Sequence, residues 1–263
     1  MKTFKNYLLA TVLFLMGVAS AGTISREYNR EIDFVSGGDV SVRLPNGNLY
    51  VRTWDENRVD VHADITIHSS SKKEAERFLQ EMEIVIKRHG DRLDIFVEKP
   101  KTDGFDVFDW FFGNRRVRSS INIDIKLPTI TNVELKSING SIEISELKGR
   151  ARLKTTNGKI NANRMYGELD AESTNGSIRA EMDIPELREN VRLSTVNGSL
   201  HLTVPESIAA DVDISTVNGS IRSDFPLTVE GKWGPKHVDE EINGGGYSLT
   251  LNSVNGSVTL NTR

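Results

Sequence analysis

The dipeptide Asn-Gly recurs through the second half of the chain, at Asn139-Gly140, Asn157-Gly158, Asn175-Gly176, Asn197-Gly198, Asn218-Gly219 and Asn255-Gly256. The spacings are 18, 18, 22, 21 and 37 residues; the last is about two periods long and contains Asn243-Gly244. A near-constant period of this size means stacked units, each too small to bury its apolar face alone. Aligned on the Asn, the repeats form columns. Six residues before it stand Val133, Ala151, Leu169, Val191, Val212 and Leu249, and four before stand Leu135, Leu153, Ala171, Leu193, Ile214 and Leu251. Two before is always Ser or Thr, and three after stand Ile142, Ile160, Ile178, Leu200, Ile221 and Val258. Polar residues alternate with these columns, which is the period of half-buried strands. Each repeat therefore reads as two short strands around an Asn-Gly corner. Both residues tolerate the positive φ that a tight corner demands.

Two all-β architectures fit. In a parallel β-solenoid each repeat is one coil, and equivalent residues stack at about 4.8 Å. In an antiparallel meander each Asn-Gly closes a hairpin. The polar column five before the Asn favours the solenoid. It reads Glu134, Arg152, Asp170, Arg192 and Asp213, so stacking sets acid beside base and keeps like charges apart. The Ser/Thr column likewise suits a ladder of hydroxyls along the stack.

Residues before the regular repeats extend the pattern. Val40–Val51, with Asn46-Gly47, resembles a diverged copy of the same unit. Val59–Ile67 alternates as a strand. Ala75, Phe78, Leu79 and Met82 recur at helical spacing, with Ser70 or Ser71 as N-cap, giving a short helix that covers or caps an early sheet layer. Ile84–Ile86, Leu93–Val97 and Ile121–Pro128 read as further strands. Residues 225–248, rich in Gly and Pro, leave the stack. Leu249–Leu260 then return to it as the final coil and help close the open end. The organisation expected is a leader over 1–21, a β-rich segment with the helix over 22–128, and regular coils over 129–263.

The leader reading rests on Lys2 and Lys5, the apolar run Tyr7–Met16 and the small residues Ala19-Ser20-Ala21, the pattern of a secretory signal peptide. The 263 residues contain no cysteine, so the exported protein holds together without disulfides, and Cys-ligated zinc or iron–sulfur sites are excluded. With 33 Lys and Arg against 37 Asp and Glu, the net charge of −4 argues against a general nucleic-acid binder.

A strand ending in Leu127-Pro128, repeats of the form Leu-x-Ser/Thr-x-Asn-Gly-x-Ile, and Gly244-Gly245-Gly246 before the last repeat together resemble the bacterial putative-adhesin family of unknown function. The resemblance runs over nearly all of the chain after the leader and is strongest over 121–263. It implies a right-handed β-helix-like fold, a place in the cell envelope (periplasm, surface or exterior) and no established catalytic residues.

The sequence offers little chemistry. Neither the column four after the Asn (Glu143, Asn161, Arg179, His201, Arg222, Thr259) nor the one three before it stacks carboxylates as a glycosidase needs. His62, His68, His89, His201 and His237 read as surface residues rather than metal ligands, and no cofactor is expected. One segment is unusual: Phe105, Phe108, Trp110, Phe111 and Phe112 cluster ahead of Arg115 and Arg116. It reads either as a plug on the solenoid or as a partner contact, since aromatics and Arg dominate contact hot spots. The function expected is a non-enzymatic, adhesin-like scaffold or binding module whose partner is an envelope protein or a glycan. The alternatives are an accessory protein of envelope signalling and a polysaccharide-acting solenoid enzyme.

Overall fold

A computed structural model describes residues 22–98, 117–183, 189–231 and 234–263. The chain opens with β1 (Thr23–Asp33), β2 (Asp39–Asn46), β3 (Leu49–Trp54) and β4 (Arg58–Ser69), then α1 (Lys72–Glu81), β5 (Glu83–His89), β6 (Arg92–Glu98) and β7 (Val117–Pro128). Strand pairs follow: β8 (Asn132–Asn139) and β9 (Ile142–Ser145), β10 (Ala151–Asn157) and β11 (Ile160–Met165), β12 (Leu169–Asn175) and β13 (Ile178–Met182). Next come β14 (Val191–Asn197) and β15 (Leu200–Val204), then β16 (Ala210–Asn218) and β17 (Ile221–Ser223). The lone β18 (Lys236–Ile242) precedes a last pair, β19 (Tyr247–Asn255) and β20 (Val258–Thr262).

These strands form two ten-stranded sheets. One runs β1-β4-β7-β3-β9-β11-β13-β15-β20-β17, and the other β18-β16-β19-β14-β12-β10-β8-β2-β6-β5. Each Asn-Gly corner carries the chain from the second sheet to the first. The fold is a β-solenoid, not a meander: neighbouring repeats pair in parallel, with Ala151 beside Val133 and Leu169, and Asn157 beside Asn139 and Asn175. The columns read from the sequence are columns in space. Val40–Val51 is a coil of the same stack, since β2 pairs with β8 and β3 with β9.

The core lies between the sheets. Leu135, Leu153, Leu169, Leu193, Ile142, Ile160, Ile178 and Leu200 are all fully buried. Each such side chain contributes about 1.5–3 kcal/mol, and no disulfide assists. At one end the sheets turn antiparallel, β1 on β4, β4 on β7 and β5 on β6. The helix α1 packs against β1 and β4 with Ala75 and Phe78 in the core, and the Ser71 hydroxyl accepts from the Glu74 amide as its N-cap. The alternating strand β1, which supplies Ile24, Tyr28 and Ile32 to the edge of the core, was not anticipated from the sequence.

The other end departs from chain order. The final coil, β19–β20, does not close the stack. It lies inside it: β19 pairs with β14 on one side and β16 on the other, and β20 with β15 and β17. The coil β16–β17 is displaced one place outward. The end is closed instead by β18, laid antiparallel on β16, and by the buried Phe225. This arrangement leaves a three-residue strand at one edge and a strand bearing Lys236, Asp239, Glu240 and Glu241 at the other, the devices that discourage edge-to-edge association.

Candidate binding surface

The solenoid presents a corner edge and two flat faces. At the corner, the Asn side chains form one continuous ladder. Each donates its Nδ2 to the Oδ1 of the Asn on the next coil, at 2.7 Å from Asn139 to Asn46 and at 2.8 Å for Asn157, Asn175, Asn197, Asn255 and Asn218. Beside it runs a stack of glycines. A β-carbon on Gly140, Gly158, Gly176, Gly198, Gly256 or Gly219 would overlap the carbonyl oxygen of the glycine on the neighbouring coil. This corrects the reason given for the dipeptide: of the corner residues in the seven coils, only Gly47 has a positive φ. Asn is needed for its amide, and Gly for close approach.

The Ser/Thr column also differs from expectation. Its hydroxyls are buried but do not bond to one another. Thr155, Ser173, Thr195, Ser253 and Thr216 each donate to the carbonyl of a corner glycine one coil away, at 2.8–3.0 Å. An acceptor that the corner exposes to the interior is thereby satisfied. Just before each Asn, Val196, Val254 and Val217 lie on adjacent coils and are about 40% exposed.

The face of the second sheet is covered by ion pairs between coils. Arg150 meets Glu168 at 2.9 Å, Arg152 meets Asp170 at 3.6 Å and Lys154 meets Glu172 at 2.6 Å. The Lys154 ammonium holds Glu172 below the usual carboxylate range, and Lys136 does the same for Glu134. Asp170 goes the other way: burial pushes it up, and its Oδ1 is buried without a partner. The predicted alternation of charge holds from Glu134 to Arg192 and then fails. The intercalated coil sets Thr250 between Arg192 and Asp213, and Asp213 faces Asp239 while Asp211 faces Glu241 across β16 and β18. Like charges do meet at this end; Asp211 accepts from the Gly246 amide at 3.0 Å, and His237 lies 3.8 Å from Asp213.

The face of the first sheet is different. Its outward columns over the last coils are Ser177, Ser199, Ser257, Ser220 and, beside them, Arg179, His201, Thr259, Arg222. Arg179, Arg222 and Lys159 on the same face are exposed, and among the described residues no acid pairs with any of the three. The acids further along the strands, Glu181 and Asp183, are taken by Arg263, and Asp183 also accepts from the Tyr166 hydroxyl at 2.9 Å. Partial burial, with Arg179 adjacent, lowers the His201 pKa. The column that lacks stacked carboxylates in the sequence thus carries cations without an acidic partner among the described residues.

The histidines are dispersed. His62 contacts Asn29, His68 contacts Thr23, and no group of three His, Asp or Glu among the described residues can hold a metal ion. A depression lined by Arg43, Leu44, Pro45, Lys136, Ser137 and Ile138 holds about 210 Å³, below the ~300–1,000 Å³ of small-molecule sites. No helix among the described residues is long and apolar enough to cross a membrane. Phe105, Phe108, Trp110, Phe111, Phe112, Arg115 and Arg116, expected as a partner contact, lie outside the described residues, as do residues 1–21.

The model of the Toastrack DUF4097 family matches residues 110–261, more than half of the chain. The chain belongs to the Toastrack DUF4097 family. No curated protein matches it. Among solved structures the Toastrack chain is similar to a putative cell adhesion protein from Clostridium sporogenes, at 12% identity and a TM-score of 0.47, covering 91% of this chain and 100% of that one. It is also similar to a putative adhesin from Bacteroides fragilis, at 14% identity and a TM-score of 0.42, covering 90% and 97%. A third similar structure, at 14% identity and a TM-score of 0.27, covering 90% and 96%, is a putative lipid binding protein from Parabacteroides distasonis.

Proposed function

We propose that this protein is an exported, non-enzymatic binding module of the cell envelope, adhesin-like in the sense that a repetitive surface, not a cleft, makes its contacts. The observation that carries this reading is the stack itself. Seven Asn-bearing coils in parallel register produce two long faces on which side chains recur at a fixed rise. Residues 1–21 are proposed as its export signal. The aromatic segment from Phe105 to Phe112, with Arg115 and Arg116, is proposed as a partner contact on its composition alone.

Two measurements test the reading together. Purified protein is mixed with isolated envelope fractions and centrifuged, and the same protein is incubated with a panel of polysaccharides. The expected result is co-sedimentation with the envelope and no shortening of any glycan. Depolymerisation would replace the binding module with a solenoid enzyme, and absence from every envelope fraction would remove the adhesin-like role.

A further inference from the structure

We propose that the C-terminal half of the first sheet's face, the surface carrying Lys159, Arg179, His201, Thr259 and Arg222, binds an extended anionic polysaccharide lying along the solenoid axis. The proposal rests on the binding-module reading and assigns it a face and a ligand class.

The argument starts from a contrast between two faces built from the same repeats. On the second sheet Arg150, Arg152 and Lys154 each have an acid on the next coil within 4 Å, and Arg192 stands in register with Asp170. On the first sheet Arg179 and Arg222 stand in one column with only His201 and Thr259 between them, and neither has an acidic partner among the described residues. Glu181 and Asp183, the acids next along the chain from Arg179, are already held by Arg263, and Asp224, two residues beyond Arg222, accepts from the Thr262 amide at 3.0 Å. A chain with net charge −4 thus keeps a row of uncompensated cations on one face.

Geometry selects an extended ligand. The column is in register, so Arg179 and Arg222 are three coils apart, about 14 Å at the strand spacing of a sheet. A single small anion cannot bridge that distance, whereas a polymer with an acid on successive units can. Guanidinium groups suit carboxylate or sulfate because they donate two parallel hydrogen bonds. The parallel column Ser177, Ser199, Ser257 and Ser220 adds hydroxyls along the same track; Ser220 and Ser257 already lie 3.0 Å apart. Burial and the neighbouring Arg179 lower the His201 pKa, which favours the neutral ring and a hydrogen bond over another charge. These are partners for sugar hydroxyls. No Phe, Tyr or Trp stands in these columns, and single-stranded nucleic acid depends on such stacking platforms, which favours a glycan.

The test uses the whole protein and polygalacturonate, with dextran as the uncharged control and polyglutamate as the non-sugar polyanion. Binding is followed by calorimetry at low ionic strength. The expected result is binding to polygalacturonate that weakens with salt, none to dextran and weaker binding to polyglutamate. The double variant Arg179→Gln/Arg222→Gln should bind roughly ten- to a hundredfold more weakly, with unchanged thermal unfolding, while Arg152→Gln on the opposite face binds as the parent does. Equal loss in Arg152→Gln, or no loss in the double variant, overturns the face. Equal affinity for polyglutamate overturns the glycan class. Absence of polygalacturonate binding overturns the proposal outright. If envelope co-sedimentation persists in that case, the binding-module reading stands without this face; if both fail, the reading falls too.

Discussion

Asn218 donates its side-chain amide to Asn255, 37 residues further along the chain, and Asn255 donates in turn to Asn197, 58 residues back. Those two bonds, each 2.8 Å long, record that the last coil in sequence is the second-to-last in space. The ladder to which they belong polarises in one direction along the corner, and such chains of hydrogen bonds strengthen one another.

The ladder should be sensitive in its middle. Asn175 both donates to Asn157 and accepts from Asn197. Asn175→Ala removes both bonds and leaves two neighbours incompletely paired, so a loss of roughly 1–3 kcal/mol is expected. Urea denaturation of the variant measures it, and a change below the error of the extrapolation would show that water replaces the ladder.

Gly176→Ala should be worse than its φ suggests. The backbone there is ordinary, yet the added carbon meets the carbonyl of Gly158. The coils would have to part at the corner, and the overpacking cost is expected at about 2–4 kcal/mol. Thermal unfolding beside the parent provides the comparison. If Gly176 mattered only for backbone freedom, Ala would be neutral or mildly stabilising.

Intercalation makes a separate prediction about Leu251. In the outermost coil the equivalent Ile214 is covered on its outer side by the single strand β18, whereas Leu251 lies between two full coils and is fully buried, as is Leu153 in the third coil. Leu251→Ala and Leu153→Ala should therefore destabilise to the same degree, about 2–5 kcal/mol each. A much smaller effect at Leu251 in the same denaturation assay would argue for a terminal position.

Asp170 gives a pH signature. Its folded pKa is raised, chiefly by burial, so the ionised form opposes folding at neutral pH, and this penalty disappears as pH falls through the folded value. Asp170→Asn should raise stability at pH 7 by about 1 kcal/mol or less and have little effect at pH 3. Glu172 behaves oppositely. Its pKa is lowered by Lys154, so its contribution is present at neutral pH and lost on acidification, and Glu172→Gln should destabilise slightly at pH 7 and not at pH 2. Thermal melts across pH 2–8 read both.

Much of this was legible because a repeat displays its physics several times over. The inward columns, the helix from Ala75 to Met82 with its Ser71 cap, and the early coil around Asn46 could all be found by periodicity. The cations at Arg179 and Arg222 were equally visible, but their isolation was not, since it depends on Arg263 holding Glu181 and Asp183 and on the Thr262 amide meeting Asp224. The N-terminal strand β1 escaped notice because its partly buried Ile24, Tyr28 and Ile32 are interspersed with charged residues.

By itself the sequence determined the phase of the repeat strands and which of their residues face inward, and its charge column favoured in-register parallel stacking over a meander. Only the tertiary structure decided the order of the coils and the reason for each Asn-Gly. A repeat makes every coil an acceptable neighbour for every other, because each offers the same Asn amide, the same close-approach glycine and the same apolar columns. Periodicity therefore fixes register but leaves adjacency open. Adjacency is seen only in the pairing, with β18 outside β16 and β19 returned between β16 and β14.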